Sequence, residues 1–331
     1  MPVLSTKRGI EAILGSETYP KEGETPIMNR SSEATSMKES IVYYSSSITP
    51  ETIIELYQRL EFPLQGKIAA KIHSGERGNQ NYIGPEYLFP IITELGATIV
   101  ETNTAYPGAR NTTKRHLELM KEHGWDGLPL EILDAHRPDL ALPVRNPLRI
   151  PVNYVGKGIE AYDSMIVLSH FKGHPMGGFG GALKQLSIGC ASSHGKANIH
   201  SAGASKSPIF CWTKKTPQDA FLESMVDAAG SVMDYFAKKK GIVYINIMKN
   251  MSVDCDCCAK AEDPCLKDIG ILASCDPLAL DAACLRLVEQ SDDPGKQHFL
   301  ERVNSRHGYH TIEMAEKQGL GSTSYILVNI D

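Results

Sequence analysis

Three cysteines crowd into four positions in the stretch Asp254-Cys255-Asp256-Cys257-Cys258, just after a predicted strand. On extended backbone, residues i and i+2 point the same way, so Cys255 and Cys257 can face one metal ion, and Cys258 joins them where the backbone turns. Cys265 and Cys275 follow as further ligands, and the expected metal set is Cys255, Cys257, Cys258 and Cys265. Soft thiolates select zinc, copper(I) or iron–sulfur clusters, and cluster iron commonly takes four cysteines. The spacing is neither the C-x-x-C pair of zinc fingers nor the C-x-x-C-x-x-C run of bacterial ferredoxins. A set of buried small apolar residues is the plain alternative. The flanking Asp254 and Asp256 argue against it, because buried carboxylates need partners. A redox-active or covalently reactive thiol is the third reading.

A second feature lies earlier, where Gly177, Gly178, Gly180 and Gly181 precede Ala182-Leu183-Lys184. A strand, a glycine run and then a helix point backbone N–H groups at a bound anion, and the lysine adds a mobile cation. The expected ligand is an anionic small molecule or a nucleotide-like cofactor held by these glycines and Lys184. Neither standard nucleotide fingerprint is completed, since Lys184 is followed by Gln185 rather than Ser or Thr and no G-x-G-x-x-G spacing occurs. A packing turn with a solvated lysine is the alternative. His170, His174, His194 and His200 surround the segment, and imidazoles near neutral pH move protons or bind metal. His174, Lys184 and His200 are the expected catalytic residues. Asp276, directly before Pro277, reads as a helix cap.

The elements that must position these residues alternate. Strands are predicted at 41–44, 67–72, 98–101 and 130–133, with helices between them, the first opened by Thr49-Pro50 and the others over 86–95 and 112–122. Pro-rich residues 138–151 mark a change of direction, and a buried strand at 164–168 runs straight into the glycine segment. An irregular stretch containing Gly195, Gly203 and Pro208 follows, then a helix over 217–238, strands over 241–248 and 268–274, helices over 277–289 and 310–317, and a last strand at 324–330. This pattern predicts an α/β fold, a largely parallel sheet with helices on both faces. Two lobes, 39–165 and 166–331, and an N-terminal arm over 1–38 with a short helix at 10–14 are the expected division.

The bulk numbers set outer bounds. A chain of 331 residues, 42% hydrophobic and 22% charged, can bury a core and is not disordered at large. Apolar runs fall short of the roughly 18 residues that span a bilayer, and no secretory pattern opens the chain, so a cytoplasmic protein without membrane contact is expected. A net charge of −5 argues against nucleic-acid binding. The Lys238-Lys239-Lys240 run suits a helix C-terminus. The eight cysteines all fall at or after Cys190, an asymmetry unlike a disulfide framework. A homodimer is the one protein partner considered.

With those segments assembled, the sequence resembles the domain of unknown function 362 family, often labelled iron–sulfur center proteins. The resemblance rests on HFKGHPMGGFGGALKQLSIGCASSHGKANIH at 170–200, DCDCC at 254–258, DIGILASCDPLALDAA at 268–283 and MAEKQGLGS at 314–322, and covers about residues 40–331. Many relatives look as though they carry a ferredoxin module after the position of His200. This chain passes from His200 to the helix at Pro217 with only Cys211, so the module is missing, and Gln185 and Ser187 replace an expected Asn and Gly. A more distant likeness is to lactate racemase-type enzymes that use a nickel-pincer nucleotide, whose G-x-S-G-G-x-K segment looks like Gly178 to Lys184. That likeness implies a cofactor-binding Lys184, a metal-ligand His200 and a proton-transferring His174. Three functions remain open at this level: a metal-dependent, iron–sulfur redox enzyme or electron-transfer protein with an anion site, a nucleotide-cofactor-dependent proton- or hydride-transfer enzyme, and a non-enzymatic metal-binding protein.

Overall fold

The computed structural model describes residues 39–213 and 215–331, so the expected arm over 1–38, with its helix at 10–14, lies outside them. β1 (Ser40–Ser45), α1 (Pro50–Arg59), β2 (Ile68–Lys71), α2 (Pro85–Glu94), β3 (Thr98–Glu101), α3 (Thr113–Glu122) and β4 (Leu130–Ile132) alternate as the periodicity predicts. Thr49 caps α1, its hydroxyl accepting the Thr52 amide at 3.2 Å, and Pro50 takes the first helical turn, where no amide partner is needed. The Pro-rich stretch becomes an antiparallel ribbon of β5 (Leu140–Pro143) and β6 (Val152–Val155). β7 (Ser164–His170) follows, then a second ribbon of β8 (Lys172–His174) and β9 (Gly178–Gly180).

From there the chain forms one helical turn, α4 (Ala182–Lys184), that continues as a π-helix over Gln185–Gly189. α5 (Ser193–His200) occupies ground expected to be irregular. Gly195 does not break it: a Cβ there would stand 1.8 Å from the Tyr154 carbonyl oxygen, so this glycine lets the helix lie against β6. Ser192 caps it, accepting the Gly195 amide at 3.0 Å. α6 (Gln218–Ala237), β10 (Ile242–Met248), β11 (Gly270–Ser274), α7 (Pro277–Gln290), α8 (Lys296–Ser305), α9 (Gly308–Lys317) and β12 (Tyr325–Asn329) complete the described chain.

Eight strands form one sheet in the order β12-β1-β11-β10-β7-β2-β3-β4. Pairing is parallel throughout except around β11, which runs antiparallel to both β1 and β10. The lobe boundary expected between residues 165 and 166 falls inside β7, and strands from both stretches share this sheet. The central strands alternate between two cores. Met165 and Val167 of β7 pack with residues of α6 and α7, whereas Ile166 and Leu168 pack with Ile53 of α1 and Leu88 of α2. Helices therefore cover both faces, which is why the central strands read as unbroken apolar runs. No helix among the described residues is long and apolar enough to cross a membrane.

The connection after β7 brings two backbones close together. The Gly173 amide donates to the Ser252 carbonyl at 2.8 Å, and a Cβ at 173 would lie 2.4 Å from the Val253 oxygen. Only glycine lets the segment bearing Cys255 lie down on β8. Gly173→Ala is expected to lower stability by about 1 to 3 kcal/mol, the usual range for overpacking. Urea unfolding would read this as a lower midpoint at unchanged slope, and an unchanged midpoint would mean the cysteine segment moves aside freely.

Candidate functional site

In the sheet, β2, β3 and β4, which precede β7 in the chain, lie on one side of it, while β10 and β11, which follow it, lie on the other. Crevices at such a divide, beyond the C-terminal ends of parallel strands, are where open α/β sheets place ligands. Lys71 ends β2 with His73 just beyond, Glu101 ends β3, and His170 ends β7. The loop after β10 brings the cysteines to the same edge.

Cys255 is fully buried, while Cys257 and Cys258 are partly buried. The Cys258 amide donates to the Cys255 carbonyl at 2.8 Å, and this turn lets Cys257 fold back so that its own amide points at the Cys255 sulfur, 3.4 Å away. Ligand atoms of His174, Cys255 and Cys257 all lie within 4.8 Å of one another, a group that can hold a metal ion. His174 accepts the Met176 and Gly177 amides at Nδ1, at 3.1 and 2.8 Å, leaving Nε2 for a ligand. Cys258 and Cys265 fall outside this group. The Cys265 thiol lies 3.3 Å from the Met251 carbonyl, and burial pushes its pKa up to about 11.

Charge around the sulfurs is strongly organised. Burial alone would raise the Cys255 pKa, yet the Cys257 thiol hydrogen bond and the Lys184 and Lys172 charges hold it well below the ordinary thiol value. Lys184 Nζ is 3.8 Å from the Cys255 sulfur. Cys257 moves the other way, pushed well up first by its hydrogen bond to Cys255, so Cys255 is the readier of the two to ionise. Asp256, between them in sequence, faces away toward His170 Nδ1 at 2.8 Å and Lys172 at 3.3 Å. Burial opposes its ionisation, but those two partners keep it far below the carboxylate range. Burial also lowers His73 and His200 to about 4, with Arg110 adding to the effect at His73.

His174, Lys184 and His200, all expected to be catalytic, line one cavity of about 160 Å³ together with Cys257. His200 donates from Nδ1 to the Lys196 carbonyl at 2.7 Å, and its ring stacks on Phe221. His194 instead lies on the surface beside Arg137 and Asp139. The glycine loop departs most from expectation. The anion on its helix N-terminus is this chain's own Asp281, whose two oxygens accept the Ala182 and Leu183 amides at 2.8 and 2.9 Å. A Cβ at Gly181 would stand 2.3 Å from that carboxylate. Gly177, Gly178, Gly180 and Gly181 do not line the cavity, and about 160 Å³ is too small for a nucleotide.

Sequence reasoning missed the other wall entirely. Lys71, His73, Glu101, Tyr106, Arg110 and Lys196 border the same cavity. Lys71 pairs with Glu101 at 2.7 Å and Arg110 with Glu76 at 3.2 Å. Tyr106, which accepts from Arg110 and donates to the Cys257 carbonyl, separates the cavity from an outer groove of about 860 Å³ that also reaches Cys257. Only Lys196 left a signal in the sequence, since it precedes His200 by one helical turn and so shares its face.

Fold and site together describe an α/β protein with a cysteine–histidine group at the C-terminal edge of a mostly parallel sheet. The chain belongs to the family described as a domain of unknown function (DUF362), whose pattern matches residues 68–286. No curated protein matches it. Among solved structures it is similar to the lactate racemase apoprotein of Thermoanaerobacterium thermosaccharolyticum, at 15% identity and a TM-score of 0.37 over 62% of this chain and 50% of that one. It is also similar to a Thermotoga maritima protein, at 11% identity and a TM-score of 0.44 over 82% of this chain and 60% of that one. The chain thus spans between half and three-fifths of those two lengths, and neither likeness bears on the chemistry here.

In metal-free protein the ultraviolet thiolate band is expected to persist well below the ordinary thiol pKa, to vanish in Cys255→Ser, and to titrate roughly 1 to 3 pH units higher in Lys184→Met, which removes the adjacent cation. Because the folded pKa is depressed, Cys255 stabilises the fold above its unfolded value near 9, and that contribution is lost as pH falls through the folded pKa. A band that disappears at the ordinary thiol pKa would contradict this charge arrangement.

Proposed function

We propose that this protein is a metal-dependent enzyme acting on a small anionic molecule, with a soft metal ion held by Cys255, Cys257 and His174. One observation carries the reading: two sulfurs and an imidazole come within 4.8 Å of one another, and two of the three residues also line a small cavity bordered by lysine and arginine. Two thiolates and one imidazole, with a fourth position left open, is a ligand set of catalytic rather than structural metal sites. The soft donors favour zinc, copper(I) or iron over magnesium or calcium. The open position would face the cavity, where the ion supplies Lewis-acid chemistry, or electron transfer if it is iron.

The protein's own residues supply the rest. Lys184 and Lys172 offset the sulfur charge, His200 presents a neutral ring, and Tyr106 stands between the cavity and the outer groove. Taking an ion requires the Cys257 proton to leave, so uptake strengthens as pH rises. A partly open cavity beside the sulfurs favours an enzyme over a storage protein, which needs no substrate space. A four-cysteine cluster is less well served, because Cys258 and Cys265 do not join the group.

Elemental and sulfide analysis of anaerobically purified protein is the direct test. We expect about one soft metal ion per chain without matching sulfide, lost at least tenfold in Cys255→Ser and Cys257→Ser and retained in Cys265→Ser. Iron with equimolar sulfide would replace the single-ion centre by a cluster. Metal content indifferent to both Cys255 and Cys257 would overturn the proposal.

A further inference from the structure

Four cations border the cavity, and three have an anion beside them. Lys71 lies 2.7 Å from Glu101, Arg110 3.2 Å from Glu76, and Lys184 3.8 Å from the Cys255 sulfur. Lys196 differs. Its nitrogen donates to the Thr102 hydroxyl and to the Ala191 carbonyl at 2.7 Å, both neutral, and among the described residues no carboxylate oxygen comes within 4.0 Å of it. The side chain is only 7% exposed, and a buried ammonium without a counter-ion is unfavourable.

Nothing already in the site can fill that role. Glu101 is taken by Lys71 and the Ser74 amide, and Asp134 by the Asn103 and Ser193 amides. Lys71 and Arg110 repel a charge on Lys196, while His116, His200 and Cys190 face it as neutral groups. Two placed hydrogens satisfy a neutral amine and leave its lone pair free, whereas an ammonium carries a third hydrogen that has no partner. Burial, then the neighbouring cations, bring the Lys196 pKa down to about 7, with Asp134 and Glu101 opposing. The amine is therefore poised to change charge when an anion arrives.

We propose that Lys196 is the counter-ion for the substrate's acidic group: the cavity takes a compact monocarboxylate, which binds together with one proton and pairs with the resulting ammonium. The size follows from the space, since a cavity of about 150 Å³ holds a molecule of about six non-hydrogen atoms. The single charge follows from the single unmatched cation, because a dianion would leave one charge unpaired. This inference rests on the cavity being the substrate pocket of the proposed enzyme.

The test titrates metal-loaded and chelator-treated protein with acetate, propionate, butyrate and octanoate, and with acetamide, following Trp212 fluorescence. Trp212 borders the same cavity, whereas the other tryptophan, Trp125, is fully buried elsewhere. Short carboxylates should bind, acetamide and octanoate should not, and affinity should fall about tenfold per pH unit above about 7. Lys196→Met should lose at least tenfold in affinity together with the pH slope, and Lys196→Arg should keep binding without the slope. The slope in the unaltered protein is a readout that needs no variant to fold. No short-carboxylate binding below pH 7, or a folded Lys196→Met variant with unchanged affinity and slope, overturns the inference. Carboxylate binding that needs Lys196 in protein that never holds metal would sink the metal reading alone, and metal held by the cysteines with Lys196 irrelevant would sink only this one.

Discussion

A sulfur anion sealed away from water has to be matched by fixed positive charge, and much of the edge of this sheet is arranged to do that for Cys255. Its side chain is fully buried, which by itself would keep the thiol protonated. The Cys257 hydrogen bond, then Lys184 and Lys172, reverse that preference, and each lysine must be held in place to do so. Lys172 is fixed by Asp256, which in turn is fixed by His170 at the end of β7. Lys184 is fixed by the helical turn that Asp281 caps from α7, about a hundred residues further along the chain. The glycine loop is thus an internal anchor for a cation. Its anion-binding geometry is real and already occupied by the protein itself.

Topology explains why these charges meet where they do. Parallel strands present their C-terminal ends on one edge, and the divide between β2 and β7 opens a crevice there. Chain segments far apart in sequence deliver Lys71, Glu101, His174 and the cysteines to that crevice within one layer of residues. The antiparallel β11 lies two strands from β7, beyond β10, so it completes the sheet without disturbing the crevice. Gly173 then permits the cysteine segment to settle against β8, joining the sulfur ligands to the lysines.

The order of strands and helices was legible because it rests on local signals. Thr49-Pro50 and Asp276-Pro277 cap the helices they were read to cap, Asp276 accepting the Leu278 and Ala279 amides at 2.8 and 3.0 Å. Cys255 and Cys257 do approach one another, but through a turn closed by the Cys258 amide on the Cys255 carbonyl rather than along extended backbone, and Cys258 stays outside the group. What stayed hidden depends on long-range contact. Nothing near Gly181 shows that Asp281 will fill its cradle, and nothing near Cys265 shows that its segment will turn toward the Met251 carbonyl. Gly195 misled because glycine breaks isolated helices but also admits close packing, and only the Tyr154 carbonyl decides between these. The cation-rich wall escaped notice because its members are scattered single residues, Lys71 and Glu101 at strand ends, His73, Tyr106 and Arg110 in loops and Lys196 on α5.

The two ends of the cavity are not electrically independent. With metal absent, the buried Cys255 thiolate repels any anion approaching within the low-dielectric site, and Lys184 is committed to offsetting it. A divalent ion held by Cys255 and Cys257 would offset their charge and leave more of the Lys184 field to act on the cavity. Anion affinity would then rise at the sulfur end, while Lys196 would supply the counter-charge proposed for it at the other. Metal and substrate would therefore bind with positive coupling, and by linkage each strengthens the other equally. On this view metal uptake at the cysteines would favour entry of an acidic molecule into the cavity that Cys257, Lys184 and Lys196 line.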